Sequence, residues 1–172
     1  MSKGYMIERR ISAKDVEAFN RSATSSADID GGTLVSLGAY ANGVFTATKA
    51  TSGEGLWMSY NPSEHFTMVG DKIYAGLSKD PRDYTNLAGR TFDVFKPQVG
   101  DLVALTDGNI KTGETVAVDK FLEQGATGFE VKDIATASTT SLKVIAIENL
   151  PFPTGGIGNE NAKLYVCEVA QN

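Results

Sequence analysis

The chain has 172 residues and a mass of 18.3 kDa, which fits one domain and is long enough to bury a core. A net charge of −5 and a pI near 4.9 deny it the overall positive field that general nucleic-acid binding needs. Its single cysteine, Cys167, rules out a disulfide within the chain and a cysteine-based metal cluster, while 18 glycines call for many turns. No window approaches the roughly 18 apolar residues of a membrane span, and no apolar run follows the charges of the first ten residues. The expectation is a protein made and used in a cytoplasm, or exported by a route the sequence does not show, with neither nucleic acid nor membrane as partner.

The first thirty residues differ from the rest. Ile11 to Val16 has the form of a helix start: Ser12 can cap, Asp15 takes the third position of a capping box, and Ile11 can staple onto Val16. That helix is short, ending by about Arg21, and Ser22 to Ala27 reads as a polar linker. Five basic residues up to Ser22 (Lys3, Arg9, Arg10, Lys14, Arg21) against three acidic ones (Glu8, Asp15, Glu17) give this part +2. With −5 for the whole chain, the remainder carries −7. Residues 1–30 are therefore expected as an arm with a short capped helix and a linker, and residues 31–172 as a β-rich domain.

Past Asp30 the chain becomes short extended runs punctuated by glycine. Thr33 to Leu37 and Val44 to Thr48 flank Asn42-Gly43, a pair that favours a tight hairpin turn because both residues tolerate positive φ. Leu56 to Tyr60 reads as a third strand stopped by Asn61-Pro62. A short extended run over Gly70 to Leu77 precedes a polar loop, Ser78 to Tyr84. Further strands are expected at Leu102 to Thr106, Glu114 to Val118, Gly128 to Val131, Ser141 to Ile147 and Lys163 to Val169. In the last of these, Leu164 and Val166 share one face and Tyr165, Cys167 and Val169 the other, so both faces should meet protein. Ser141 to Ile147 lacks a clean alternation. About eight strands with turns every eight to fourteen residues specify an all-β fold, an antiparallel barrel or sandwich.

Two features invite a chemical reading. Phe92 to Ile110, with a proline-led loop, Gly100-Asp101, four apolar residues and Asp107-Gly108-Asn109, could form the mouth of a site. Gly113 to Val118 echoes its Gly-acid-X-Val-Ala-aliphatic pattern, however, which favours two strands entered by similar turns, with the acid solvated. His65 is the sole histidine and has no local cysteine, so it reads as a polar loop residue beside Phe66. Gly155-Gly156-Ile157-Gly158 lacks the Lys-Ser/Thr ending of a phosphate loop. Asp101, Asp107, Asp119 and Asp133 match no EF-hand spacing and read as solvated strand ends. Cys167 lies on a strand without a neighbouring cation and reads as a small buried hydrophobe. No catalytic, metal or cofactor-binding residue emerges.

Read together in order, Gly32-Thr33-Leu34-Val35-Ser36-Leu37-Gly38, Gly43-Val44-Phe45-Thr46-Ala47-Thr48, Tyr60-Asn61-Pro62, Asp83-Tyr84-Thr85-Asn86-Leu87-Ala88-Gly89 and Val99-Gly100-Asp101-Leu102-Val103 form a pattern. It resembles the capsid decoration, or cement, proteins of tailed-phage heads, found among phages of Gram-positive hosts. The likeness covers roughly residues 31–109 and leaves out the segment 1–21. It implies a non-enzymatic β-rich protein without cofactor that adds to the outside of a capsid, assembled in the host cytoplasm and located on the virion. Its partners would be several subunits of the major capsid protein and neighbouring copies of itself.

Under that resemblance the segments expected to order on the shell are the arm and the loop at residues 151–161. The candidate contacts are Met6, Ile7, Arg9, Arg10, Ile11, Phe19, Phe152 and Ile157. Ordering costs about 1 to 2 kcal/mol per backbone residue, so apolar contacts would have to offset it. Phe152 and Ile157 could equally tuck onto the domain's own core. The alternative function is a carbohydrate-binding or other ligand-binding β-sandwich module, with Trp57, Tyr60, Tyr74 and Tyr84 stacking on sugar rings.

Overall fold

Short runs that alternate apolar and polar residues bury one face each, and such runs are stable only when two layers cover one another. A computed structural model of the chain describes residues 3–63, 65–76, 78, 80–153 and 159–172. Its strands are β1 (Met6–Arg10), β2 (Asn20–Thr24), β3 (Leu34–Ala41), β4 (Val44–Lys49), β5 (Trp57–Ser59), β6 (Phe66–Val69), β7 (Lys72–Ala75), β8 (Thr91–Phe95), β9 (Leu102–Thr106), β10 (Phe121–Gln124), β11 (Phe129–Lys132), β12 (Ser141–Pro153) and β13 (Asn159–Gln171). The fold is all-β. A closed barrel, β2-β4-β3-β5-β8, packs against a six-stranded sheet of order β1-β9-β13-β12-β10-β11, and β6-β7 form a separate two-stranded ribbon.

The main core lies between barrel and sheet. Leu34, Met58 and Phe95 from the barrel meet Leu105, Leu122, Leu142, Tyr165, Cys167 and Val169 from the sheet. The neighbouring residues Val35, Trp57 and Val94 point the other way and fill the barrel with Ala23, Ile29 and Ala47. Strand β13 contributes to both faces as expected, since Leu164 and Val166 join an outer cluster with Ala104, Phe152 and Ala162. The uneven pattern of Ser141 to Ile147 has a concrete cause. Pairing slips between Val144 and Ala146, leaving Ile145 as an extra residue, so Val144 faces the main core and Ala146 the outer cluster.

The Asn42-Gly43 turn forms as the sequence requires, with φ of 53° and 86° and Ala41 paired to Val44. The N-terminal helix does not form. Two short 3-10 turns, Ser12–Lys14 and Glu17–Phe19, replace it. The residues read as a cap and staple are drawn away by tertiary partners: Ser12 bonds to Asp101 and Ile11 enters the main core. The segment read as an arm supplies β1 to the sheet, antiparallel to β9, and β2 to the barrel, antiparallel to β8. The expected strand at Glu114 to Val118 is also absent; that run is irregular and contributes Val116 to the edge of the core.

Three asparagines seam these parts. Asn109, buried in the capping box that follows β9, accepts from Tyr5 N–H at 3.0 Å and donates to the Gly31 carbonyl at 2.7 Å. Asn61 accepts from Met6 N–H at 2.9 Å and donates to the Met6 carbonyl at 2.5 Å. Asn86 donates to the Tyr60 carbonyl at 2.9 Å. Each amide offers both a donor and an acceptor, so it can stand in for a strand partner where two chain segments meet without a ladder.

Candidate functional site

The eight candidate contact residues do not form one exposed patch. Met6, Ile11 and Phe152 are only 1 %, 3 % and 4 % exposed. Met6 and Ile11 belong to the main core; Phe152 lies edge-on to Tyr5, with ring centroids 5.8 Å apart, under the guanidinium of Arg82. Ile7 packs on the outer cluster and Phe19 on the main core. Arg9 and Arg10 are exposed on the edge strand β1, where Arg9 meets Glu148 at 2.5 Å. Ile157 lies outside the described residues. Apolar residues expected to await a partner are thus largely satisfied within the chain.

The groups that invited a chemical reading are also engaged separately. Asp101 is no solvated turn acid: it is 3 % exposed and accepts from Ser12 and from Gln98 N–H. Asp107 accepts from the Tyr165 hydroxyl at 2.5 Å; burial, then this carboxylate, pushes the Tyr165 phenol up. Asp119 pairs with Lys143 at 3.0 Å and Asp133 with Lys120. Among the described residues no three His, Cys, Asp or Glu side chains gather as a metal site. His65 stacks flat on Tyr84, centroids 4.4 Å apart and planes 4° from parallel. Burial pushes the Cys167 thiol up to about 12, so it is neutral at physiological pH and a poor nucleophile.

Two surface features stand out instead. The β6-β7 ribbon pairs with neither sheet, all of Lys72–Ala75 is exposed, and Val69, Ile73 and Tyr74 face solvent. The second is a groove on the barrel. The β2-β4 ladder holds only the pairs Ala23–Phe45 and Thr24–Thr46. Below them the strands separate, and a cavity of about 590 Å³ opens between Asn20–Ser22 and the β3-β4 hairpin end, with Tyr40, Phe45, Tyr60 and Asp93 in its wall. A second cavity of about 310 Å³ also has Tyr60 and Asp93 in its lining, together with Phe66, Thr85 and Arg90.

Geometry fixes the rings of this groove. Tyr40 and Phe45 are cross-strand partners with centroids 4.8 Å apart, next to a register shift in β3 that turns Tyr40 outward to 64 % exposure. Tyr60 leans on Phe95 and donates its hydroxyl to Asn20 Oδ1 at 2.9 Å. Burial first, then the charges of Glu8, Asp93 and Asp101, push this phenol up to about 12, so it remains a proton donor. Asp93 accepts from the Ser22 hydroxyl at 2.9 Å. Tyr40, Phe45 and Asp93 were not singled out from sequence, yet a signal existed: a two-residue turn at Asn42-Gly43 places positions 40 and 45 opposite one another. Of the rings expected to stack on sugars, Tyr84 is buried beneath His65, Trp57 lies under Arg21 at 5.5 Å and Tyr74 sits on the ribbon.

Compared with known proteins, the chain matches no family model and no curated sequence.

Proposed function

We propose that this chain is a non-enzymatic capsid decoration protein that binds the outer surface of a phage head and bridges major capsid subunits. The sequence pattern across residues 31–109 suggests it, and the exposed β6-β7 ribbon supports it. The ribbon pairs with neither sheet and leaves Val69, Ile73 and Tyr74 exposed, so a surface that covers them gains apolar burial. The attachment element under this reading is the ribbon, since Met6, Ile11 and Phe152 already serve the protein's own core.

The test is co-sedimentation of the purified protein with capsid shells assembled from the major capsid protein of the phage that carries the gene. The natural chain should pellet with shells, and the double variant Ile73→Asp, Tyr74→Asp should remain in the supernatant at unchanged thermal stability. Failure of the natural chain to pellet overturns the proposal. Undiminished pelleting of the double variant removes the ribbon from it.

A further inference from the structure

The barrel groove has a composition that neither its fold nor the capsid reading requires. Its wall combines the rings of Tyr40, Phe45 and Tyr60 with the Asp93 carboxylate, and the two cavities that share Tyr60 and Asp93 fall in the size range of about 300 to 1,000 Å³ typical of small-ligand sites. In the second cavity Thr85 is 7 % exposed, and its hydroxyl has no hydrogen-bond partner among the described residues. Among the described residues, the charged side chains that line the two cavities are Glu17 and Asp93, Arg21 and Arg90, of both signs. Phosphates and a lysine-rich peptide are collected by a cluster of one sign, and the described lining residues form none. Ring faces beside a carboxylate and amides suit a ligand with flat apolar faces and many neutral hydroxyls.

We propose that this groove binds a neutral oligosaccharide, its pyranose rings resting on Tyr40 and Phe45 and its hydroxyls donating to Asp93. An added peptide strand fits less well. The β2-β4 ladder begins at Ala23 and leaves only the short edge Asn20–Ser22 of β2 open there, where the Asn20 carbonyl already accepts from Arg21 at 2.8 Å. Arg21 also donates to the Ala18 carbonyl at 2.9 Å and lies over Trp57. The inference does not rest on the capsid reading; a chain that fails to bind shells can still bind sugar.

Trp57 is the only tryptophan in the chain and sits directly beneath a groove residue, so its fluorescence reports occupancy. Purified full-length protein is titrated with maltohexaose, cellohexaose and N-acetylchitohexaose, with oligogalacturonate and a lysine-rich peptide as charged probes, and each titration is repeated by calorimetry. Saturable binding of at least one neutral hexaose is expected. Tyr40→Ala should weaken it about tenfold or more, equivalent to about 1.4 kcal/mol. Tyr40→Phe should restore it, Asp93→Asn should weaken it, and Ile134→Ala, exposed and outside both cavities, should leave it unchanged. Absence of binding by all three neutral sugars overturns the proposal. Tighter binding of either charged probe, or neutral-sugar binding indifferent to both Tyr40→Ala and Asp93→Asn, does so equally.

Discussion

Ser12 and Asp101 stand 89 residues apart in sequence and are joined twice, with Asp101 Oδ1 accepting from the Ser12 N–H at 2.9 Å and from its hydroxyl at 2.6 Å. The other carboxylate oxygen accepts from Gln98 N–H at 2.9 Å. This one buried side chain ties the turn after β1 to the loop before β9, next to the β1-β9 ladder. Asp101→Ala leaves three donors without their acceptor and should cost about 3 kcal/mol, at the upper end for hydrogen bonds to a charged group. Ser12→Ala removes only the hydroxyl and should cost about 1 kcal/mol. Urea unfolding of both variants checks this; a loss below about 0.5 kcal/mol in Asp101→Ala would show that the carboxylate carries no structural weight.

A second buried pair governs acid stability. Arg82 Nη2 lies 2.7 Å from Asp80 Oδ2, Arg82 Nε also donates to Asp80, and both side chains are buried. Burial pushes the Asp80 carboxyl upward, but the hydrogen bonds and charge of Arg82 outweigh it and hold the group below its ordinary value. A carboxyl lowered in the folded state stabilises the fold above its unfolded pKa and loses that contribution as pH falls through the folded value. The urea midpoint should therefore drop between neutral pH and strongly acidic pH by more in the natural chain than in Asp80→Asn. Arg82→Met, which strands a buried carboxylate, should cost about 3 to 5 kcal/mol at neutral pH. Equal acid sensitivity of the natural chain and Asp80→Asn would remove the pair from the acid limb.

Gly32 and Gly100 separate backbone strain from crowding. Both are left-handed, with φ of 78° and 93°. A Cβ on Gly100 meets nothing within 4 Å, whereas one on Gly32 comes to 2.8 Å from Leu105 Cδ2 and 3.0 Å from Met6 Cβ. Gly100→Ala should cost about 1 to 2 kcal/mol from conformation alone. Gly32→Ala should add about 1 to 3 kcal/mol of overpacking. Comparable thermal shifts for the two would mean that the core around Met6 yields freely.

Strands with a strong local signal were legible in the chain. Thr33 to Leu37 and Val44 to Thr48 around Asn42-Gly43 became β3, β4 and a left-handed two-residue turn, because turn chemistry and register are local. β1 and β2 were not legible. Met6–Arg10 places its charges at Glu8, Arg9 and Arg10, and Asn20–Thr24 fully buries only Ala23, so neither run carries enough apolar residues to announce a strand. Thr91–Phe95 did carry the signal, with Phe92 and Val94 buried and Thr91 and Asp93 exposed, inside a stretch whose punctuation suggested a site. The same limit applies to the groove. Its rings lie on β3, β4 and the residue after β5, and its carboxylate on β8, so its components are scattered over more than fifty positions of the chain.

The sequence by itself determined the all-β class, the β3-β4 hairpin and the two-faced burial of β13, because each follows from period-two alternation and glycine-permitted turns within a few residues. The echo between Gly100 to Leu105 and Gly113 to Val118 marks where that reasoning stops: near-identical local patterns gave a core strand and an irregular loop. Only tertiary structure decided between them, since β9 found edges on β1 and β13 to pair with, and Glu114 to Val118 found none. It also turned a charged leading segment from an arm into strands of both layers. A backbone edge left open by one distant segment is satisfied by another, and that pairing leaves little trace in the local order of either.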